Sequence, residues 1–186
     1  MANPPAVAAL VGIGSQFIDD NEKPVAGPGV FIQNSKTLVG NNTAGIAVPI
    51  FTVVGSVQIL AIWGQVTTTL GANNTAAYWR LNDASAQSSI TLSTGTALSA
   101  AAAGSIIVKK DLASAALTLL SNSQERVSEP TTLETSYFSP FVVVAKAAVT
   151  TNIEFLYSTT DTPTVGAITF WCQYLPIGAG SRLLTV

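Results

Sequence analysis

The dominant pattern in this chain is a two-residue alternation of apolar positions. From Gly45 to Thr69 it reads GIAVPIFTVVGSVQILAIWGQVTTT, two strands meeting near Gly55–Ser56. In the first, Ile46, Val48, Ile50, Thr52 and Val54 alternate with Ala47, Pro49, Phe51 and Val53, so apolar side chains fall on both faces. Pro49 lacks the N–H that a ladder needs, which predicts an edge position or a bulge there. In the second, Ser56–Thr68, the residues Val57, Ile59, Ala61 and Trp63 share one face, and Leu60, Ile62 and Val66 the other. A strand apolar on both sides is central in a sandwich or covered by a partner. Gly64, next to Trp63, predicts a bulge where the strand bends.

The same alternation returns at Thr75–Leu81, Ser89–Leu92, Phe141–Ala147, Asn152–Ser158 and Gly166–Leu175, with Val30–Gln33 the clearest strand before it. In Asn152–Ser158, Glu154 alternates with Ile153 and Phe155 and is expected to point outward. In the last strand Ile168, Phe170, Cys172 and Tyr174 face one way, and Thr169, Trp171 and Gln173 the other. Ala97–Ala103 and Asp111–Leu120 predict one short helical turn at most, and Ile106–Lys109 between them alternates poorly. The polar stretch Ser121–Thr135 reads as a surface loop with a strand at Glu125–Ser128, and 159–164 as a hairpin loop. Short strands at regular spacing with no long helical period predict an all-β fold, an antiparallel β-sandwich of jelly-roll-like topology, with an immunoglobulin-like strand order as the alternative.

Residues 1–44 interleave Pro4, Pro5, Pro24 and Pro28 with Gly12, Gly14, Gly27, Gly29 and Gly40. Proline removes donors and holds its neighbours extended, so this segment is expected to form an arm laid across a neighbour. The division is then 1–44 as arm, 45–177 as sandwich and 178–186 as a glycine-hinged tail.

Composition sharpens that picture. Apolar residues make up 48% of the chain and charged residues only 10%, whereas a typical soluble domain has about a quarter charged. No apolar run approaches the ~20 residues that span a bilayer, so no membrane contact is expected. A surface this poor in charge predicts cover by other subunits. The net charge of −2, with eight scattered Lys and Arg, provides no basic stripe for nucleic acid. One cysteine, Cys172, makes an internal disulfide impossible and suits synthesis in a reducing cytoplasm.

The candidate chemistry is thin. The chain has no histidine, which excludes a Ser-His-Asp triad, a Cys-His pair and a His-ligated zinc. Cys172 alternates with Phe170 and Tyr174 and reads as a core thiol. Glu125, Glu129, Glu134 and Glu154 are the carboxylates a glycosidase could use, and each reads more simply as a solvated charge. Asp19-Asp20-Asn21-Glu22 lacks the alternate-position spacing of a calcium loop. The Gly12-Ile13-Gly14 and Gly27-Pro28-Gly29 pairs lack the Lys-Ser/Thr of a phosphate loop. Trp63, Trp79, Trp171 and Tyr78 could stack on sugars but sit in apolar strands, where packing is the simpler role. No cofactor is expected.

The strands PIFTVVGSVQILAIWGQVTT and AYWRLND, with YFSPFVVV and IEFLYSTTDTPTVGAITFWCQYLPI, resemble small structural proteins of tailed-bacteriophage virions, over residues 46 to 177. The resemblance implies a capsid decoration (cement) protein, a homotrimer on the outer surface of the phage head at subunit junctions. Its partners would be the major capsid protein and copies of itself. Low charge, the arm and the two-faced strands point independently to subunit contacts, expected at Pro49, Phe51, Trp63, Leu183 and Leu184. The alternatives are a carbohydrate- or receptor-binding module of tail-fibre or lectin-like kind and, more remotely, a two-carboxylate hydrolase.

Overall fold

The computed structural model describes residues 17–18, 24–25, 29–40, 42–82, 89–109, 118–120, 140–160 and 164–186. Its elements are all strands: β1 (Phe17–Ile18), β2 (Pro24–Val25), β3 (Val30–Val39), β4 (Asn42–Val54), β5 (Ser56–Thr68), β6 (Thr75–Asn82), β7 (Ser89–Thr91), β8 (Ile106–Val108), β9 (Thr118–Leu120), β10 (Phe141–Val144), β11 (Thr151–Thr159), β12 (Thr164–Pro176) and β13 (Arg182–Thr185). The predicted second strand coincides with β5. No helical turn forms at 97–103; Ala101 and Ser105 instead close tight turns onto the carbonyls of Leu98 and Ala102.

Two antiparallel sheets hold all but β1 and β2, which pair with each other. One sheet runs β3-β12-β5-β8-β9, with β10 on the same edge of β5 as β8; the other runs β13-β4-β11-β6-β7. The order follows from a long hairpin wrapped around itself. β3 pairs with β12, β4 with β11, β5 with β10 and β6 with β7, so strands far apart in sequence lie side by side. That wrapping is the jelly-roll topology anticipated from the alternation. β4 and β5 fall in opposite sheets, joined at Gly55, whose φ of +68° is open to glycine. A Cβ there would also stand 2.4 Å from Ser181 Oγ, the hydroxyl that accepts the Ser56 N–H.

The core lies between the sheets. Ile50, Phe51 and Val53 of β4, Val57, Ile59, Ile62 and Val66 of β5, Trp79 of β6, Ile153, Phe155 and Tyr157 of β11, and Ile168, Phe170 and Cys172 of β12 are all buried there. Phe155 is its aromatic centre, 5.0 Å from Phe170 and 5.8 Å from Trp79, ring centre to ring centre.

The expected boundaries shift at both ends. Residues 30–39 fall within the expected arm; the strand expected at Val30–Gln33 is present and runs on to Val39, and β3 pairs with β12 from Val30↔Tyr174 to Val39↔Thr164, burying Leu38. The supposed tail holds β13, which adds to the free edge of β4 and seals Leu183 into the core. Local composition hid both, because their hydrogen-bond partners lie more than a hundred residues away. Phe17–Ile18 and Pro24–Val25 are the described parts of the remaining arm.

The bulge foreseen at Pro49 is present: Ile153 faces Phe51 and Glu154 faces Pro49, leaving Ile50 as the extra residue. No bulge falls at Gly64. Those of β5 lie where the pairing with β12 skips Leu60 and Thr67. Gly64 is required for another reason: it faces Phe170, and a Cβ would come within 2.9 Å of Ile168 Cγ2.

Candidate functional site

The two sheets differ sharply on their outer faces. On the five-stranded sheet the outer positions carry a polar seam. Arg80 Nε lies 2.7 Å from Glu154 Oε2, Asn82 Nδ2 donates to Glu154 Oε1 at 3.0 Å, and the Thr52 hydroxyl donates to Asn152 Oδ1 at 2.7 Å. Glu154 therefore does point away from the core, but it is not solvated. The Arg80 guanidinium and Asn82 amide lie across it and leave it 3% exposed. A carboxylate held in this way serves the sheet, joining β11 to β6.

The outer face of the six-stranded sheet is different in kind. Trp63 and Trp171 form a cross-strand pair, their rings nearly parallel (8°) with centres 6.0 Å apart. Phe31 meets Trp63 edge-on at 6.4 Å and is itself 59% exposed. Trp171 Nε1 donates to Gln33 Oε1 at 3.0 Å, fixing the indole beside the β3 edge. On the far flank β10 presents Val142 and Val144, both more than half exposed, because their neighbour Val143 takes the inward position. Between these flanks the outward positions are filled by Ala61, Gln65, Gln173 and Thr169, the last hydrogen-bonded to Ser35 at 2.7 Å.

Among the described residues, no outward position of β3, β5, β8, β10 or β12 carries a charge. The one lysine of β3, Lys36, faces Ile168 on the inward register and reaches the carbonyl of Val186. Lys109, just past β8, is buried with its ammonium 5.9 Å from the centre of the Phe141 ring.

The five residues expected at subunit contacts divide. Trp63 stands on this uncharged face, and Leu184 is 41% exposed on β13. Pro49 is half-buried at the bulge. Phe51 and Leu183 lie in the chain's own core, 0% and 3% exposed, and are not available to a neighbour. Alternation puts apolar groups on both faces of this strand and does not say which is outward; Phe51 and Val53 turn inward. The outward residues Phe31, Val142 and Val144 were missed. The signal in the sequence was FVVV read beside VFIQ, two short strands that only the tertiary pairing brings to one sheet.

Elsewhere, Trp79 is fully buried and offers no face to a sugar. Cys172 is buried, and burial pushes its thiol far above the ordinary value, so it is a core group and not a nucleophile. A polar recess of about 340 Å³ at one end of the sandwich is lined by Thr43, Ala72, Asn73, Ser99 and Ser158–Thr160. No group of three or more Cys, Asp and Glu side chains converges among the described residues. Glu125, Glu129, Glu134 and the 19–22 acidic cluster lie outside them.

An antiparallel jelly-roll sandwich bearing one charged, hydrogen-bonded outer face and one aromatic outer face, without charge among the described residues, is thus the class of molecule defined here. Compared with known protein families, characterised proteins and solved structures, the chain matches none.

Proposed function

We propose that this chain is a structural assembly protein, and specifically a decoration (cement) protein of a tailed-phage head. It would be made in the host cytoplasm and seated on the outer surface of the head at junctions of the major capsid protein. The observation that carries the assembly reading is the uncharged outer face of the six-stranded sheet. Interface centres are depleted of charge and enriched in Trp, Tyr and Phe, and this face has that composition across β3, β12 and β5. The narrower virion reading draws on the resemblance of residues 46 to 177, and with it the expectation of a homotrimer. The test is to add the purified chain to phage heads that lack it. Co-sedimentation at saturating, stoichiometric occupancy and a raised temperature of head disruption are expected. Heads that neither bind nor gain stability would remove the virion reading.

A second reading has one observation in its favour. The parallel indoles of Trp63 and Trp171, flanked by the amides of Gln33 and Gln173, form a neutral surface of the type that stacks on a pyranose ring. It makes the chain a carbohydrate- or receptor-binding module. Glycan binding abolished by Trp171→Ala would support that reading, and silence across a broad glycan array would end it.

A further inference from the structure

We infer that the outer face of β3, β12, β5 and β10 is buried against the same kind of face on a second copy of this chain. The inference rests on the assembly reading above and identifies the occupant of that surface. Three observations favour a second copy over other occupants.

The first is extent. Strands lie about 4.8 Å apart and rise about 3.3 Å per residue, so β3, β12 and β5 abreast over ten residues, with the short β8 and β10 beyond β5, give a footprint of roughly 600 Å². Side-chain relief enlarges the accessible area beyond that footprint, to about the 800 Å² per partner of a standard interface. A single sugar ring would cover only the Trp63–Trp171 part and leave Phe31, Val142 and Val144 exposed as they are.

The second is charge. A face with no charged outward position among the described residues has nothing with which to select an oppositely charged partner. It can, however, be set against the same face of other copies, in a pair or around a threefold axis, with no like-charge contact. The five-stranded sheet, with Arg80, Glu154 and Arg182 on it, does not meet this condition as simply.

The third is the arrangement of the aromatic groups. Trp63 and Trp171 hold each other rigid, and the Gln33 bond fixes Trp171, so little side-chain freedom remains to be lost on association. Preformed aromatic anchors ringed by exposed Val and Phe side chains are the pattern of an interface centre with its rim.

The experiment is sedimentation equilibrium and native mass measurement on the full chain, as wild type and as Phe31→Glu and Val144→Glu. Both substituted positions are largely exposed in the single chain, so the circular dichroism melt should stay close to wild type. The wild type is expected to associate at micromolar concentration. Each variant should dissociate on the order of 100-fold more readily, because a buried unpaired carboxylate opposes closure of the face. A wild type that stays monomeric, or variants that associate as well as it does, would overturn the inference. The same samples are added to heads lacking the chain. A monomeric wild type that still decorates heads removes this inference and leaves the proposed function standing. Association through this face with no head binding does the reverse.

Discussion

At the scale of single residues, Tyr157 shows how one hydroxyl ties the two sheets. It belongs to β11 in the five-stranded sheet. Its phenolic oxygen accepts the N–H of Val39 and donates to the carbonyl of the same residue, each at 2.8 Å, at the end of β3 in the other sheet. Val39 is an edge residue, so these are backbone groups with no strand beyond them to pair with. Tyr157→Phe is expected to lower stability by about 1–3 kcal/mol, seen as a lower urea midpoint with an unchanged slope. Burial also raises the phenol above its ordinary value of 10.0, against the opposing hydrogen bond from Val39. Burial acts on the Cys172 thiol in the same direction, from an ordinary value of 9.0. In both cases the folded chain keeps a proton that the unfolded chain releases, so the unfolded state binds fewer protons and stability falls as pH rises. The stabilisation is complete below the unfolded values. The melting temperature should decline from about pH 9 upward, and Cys172→Ala should remove the earlier part of the decline. Gly64 makes a different point. Its φ is unremarkable, and what matters is the space that Ile168 and Phe170 already occupy. Gly64→Val should cost about 1–3 kcal/mol through overpacking, measured by the same titration.

At the scale of elements, β13 and the β4 bulge act together. Pro49 supplies no N–H, Ile50 becomes the extra residue, and the Ile50 carbonyl is left to find other donors. It receives Asn34 Nδ2 from β3 at 2.8 Å and the Val186 N–H at 3.4 Å. Asn34 Nδ2 also reaches the Val186 carbonyl at 3.1 Å. One amide thus closes the open side of the sandwich where the edge strands of the two sheets meet. Leu183→Ala should cost about 2–5 kcal/mol, because it empties a core position that β13 alone fills. Removal of residues 182–186 should cost more, since Ile50 and Asn34 lose partners as well; thermal unfolding of the two variants would rank them. These elements also mark what the sequence could and could not reveal. The strand at Ser56–Thr68 was legible from its alternation, but its faces were not: the bulge at Leu60 puts Ala61 and Trp63 on the face opposite Val57 and Ile59, and Ile62 and Val66 in the core with them. SRLLTV was not legible as a strand: it is short, follows a glycine-rich turn, and becomes a strand only because β4 has a free edge. In VFIQNSKTLV the first four residues were legible as a strand, but its continuation to Val39 and its place in the sheet were not, because its partner begins at Thr164. A bulge at Pro49 could be inferred from a missing donor. Which of the strand's two apolar faces turns inward could not, since both carry Ile, Val or Phe.

At the scale of the whole molecule, the proposed assembly role raises the question of which of the two outer faces would meet another molecule, and salt provides a discriminating measurement. Both faces are wide, and both belong to sheets with complete cores. They differ in the physics that would hold a partner. Contact through the seam of Arg80, Glu154 and Asn82 would involve charges near the surface, and surface charges are screened within about 8 Å at physiological ionic strength. Contact through Trp63, Trp171, Phe31 and Val142 would involve apolar area and amides, and screening has nothing to act on there. The dissociation constant of the wild-type assembly is therefore expected to change by less than about threefold between low and high sodium chloride. Sulfate should tighten it, because excluded salts strengthen apolar burial. The heat capacity of association should be negative for the same reason. A steep loss of affinity on adding sodium chloride would transfer the contact to the charged sheet. The sequence carries the reason for this asymmetry in its 10% of charged residues. Such a chain cannot cover two sheets with charge, and the described acidic and basic pair is spent on one of them. The other sheet is left with tryptophan, valine and glutamine, a surface whose free energy falls when it is covered.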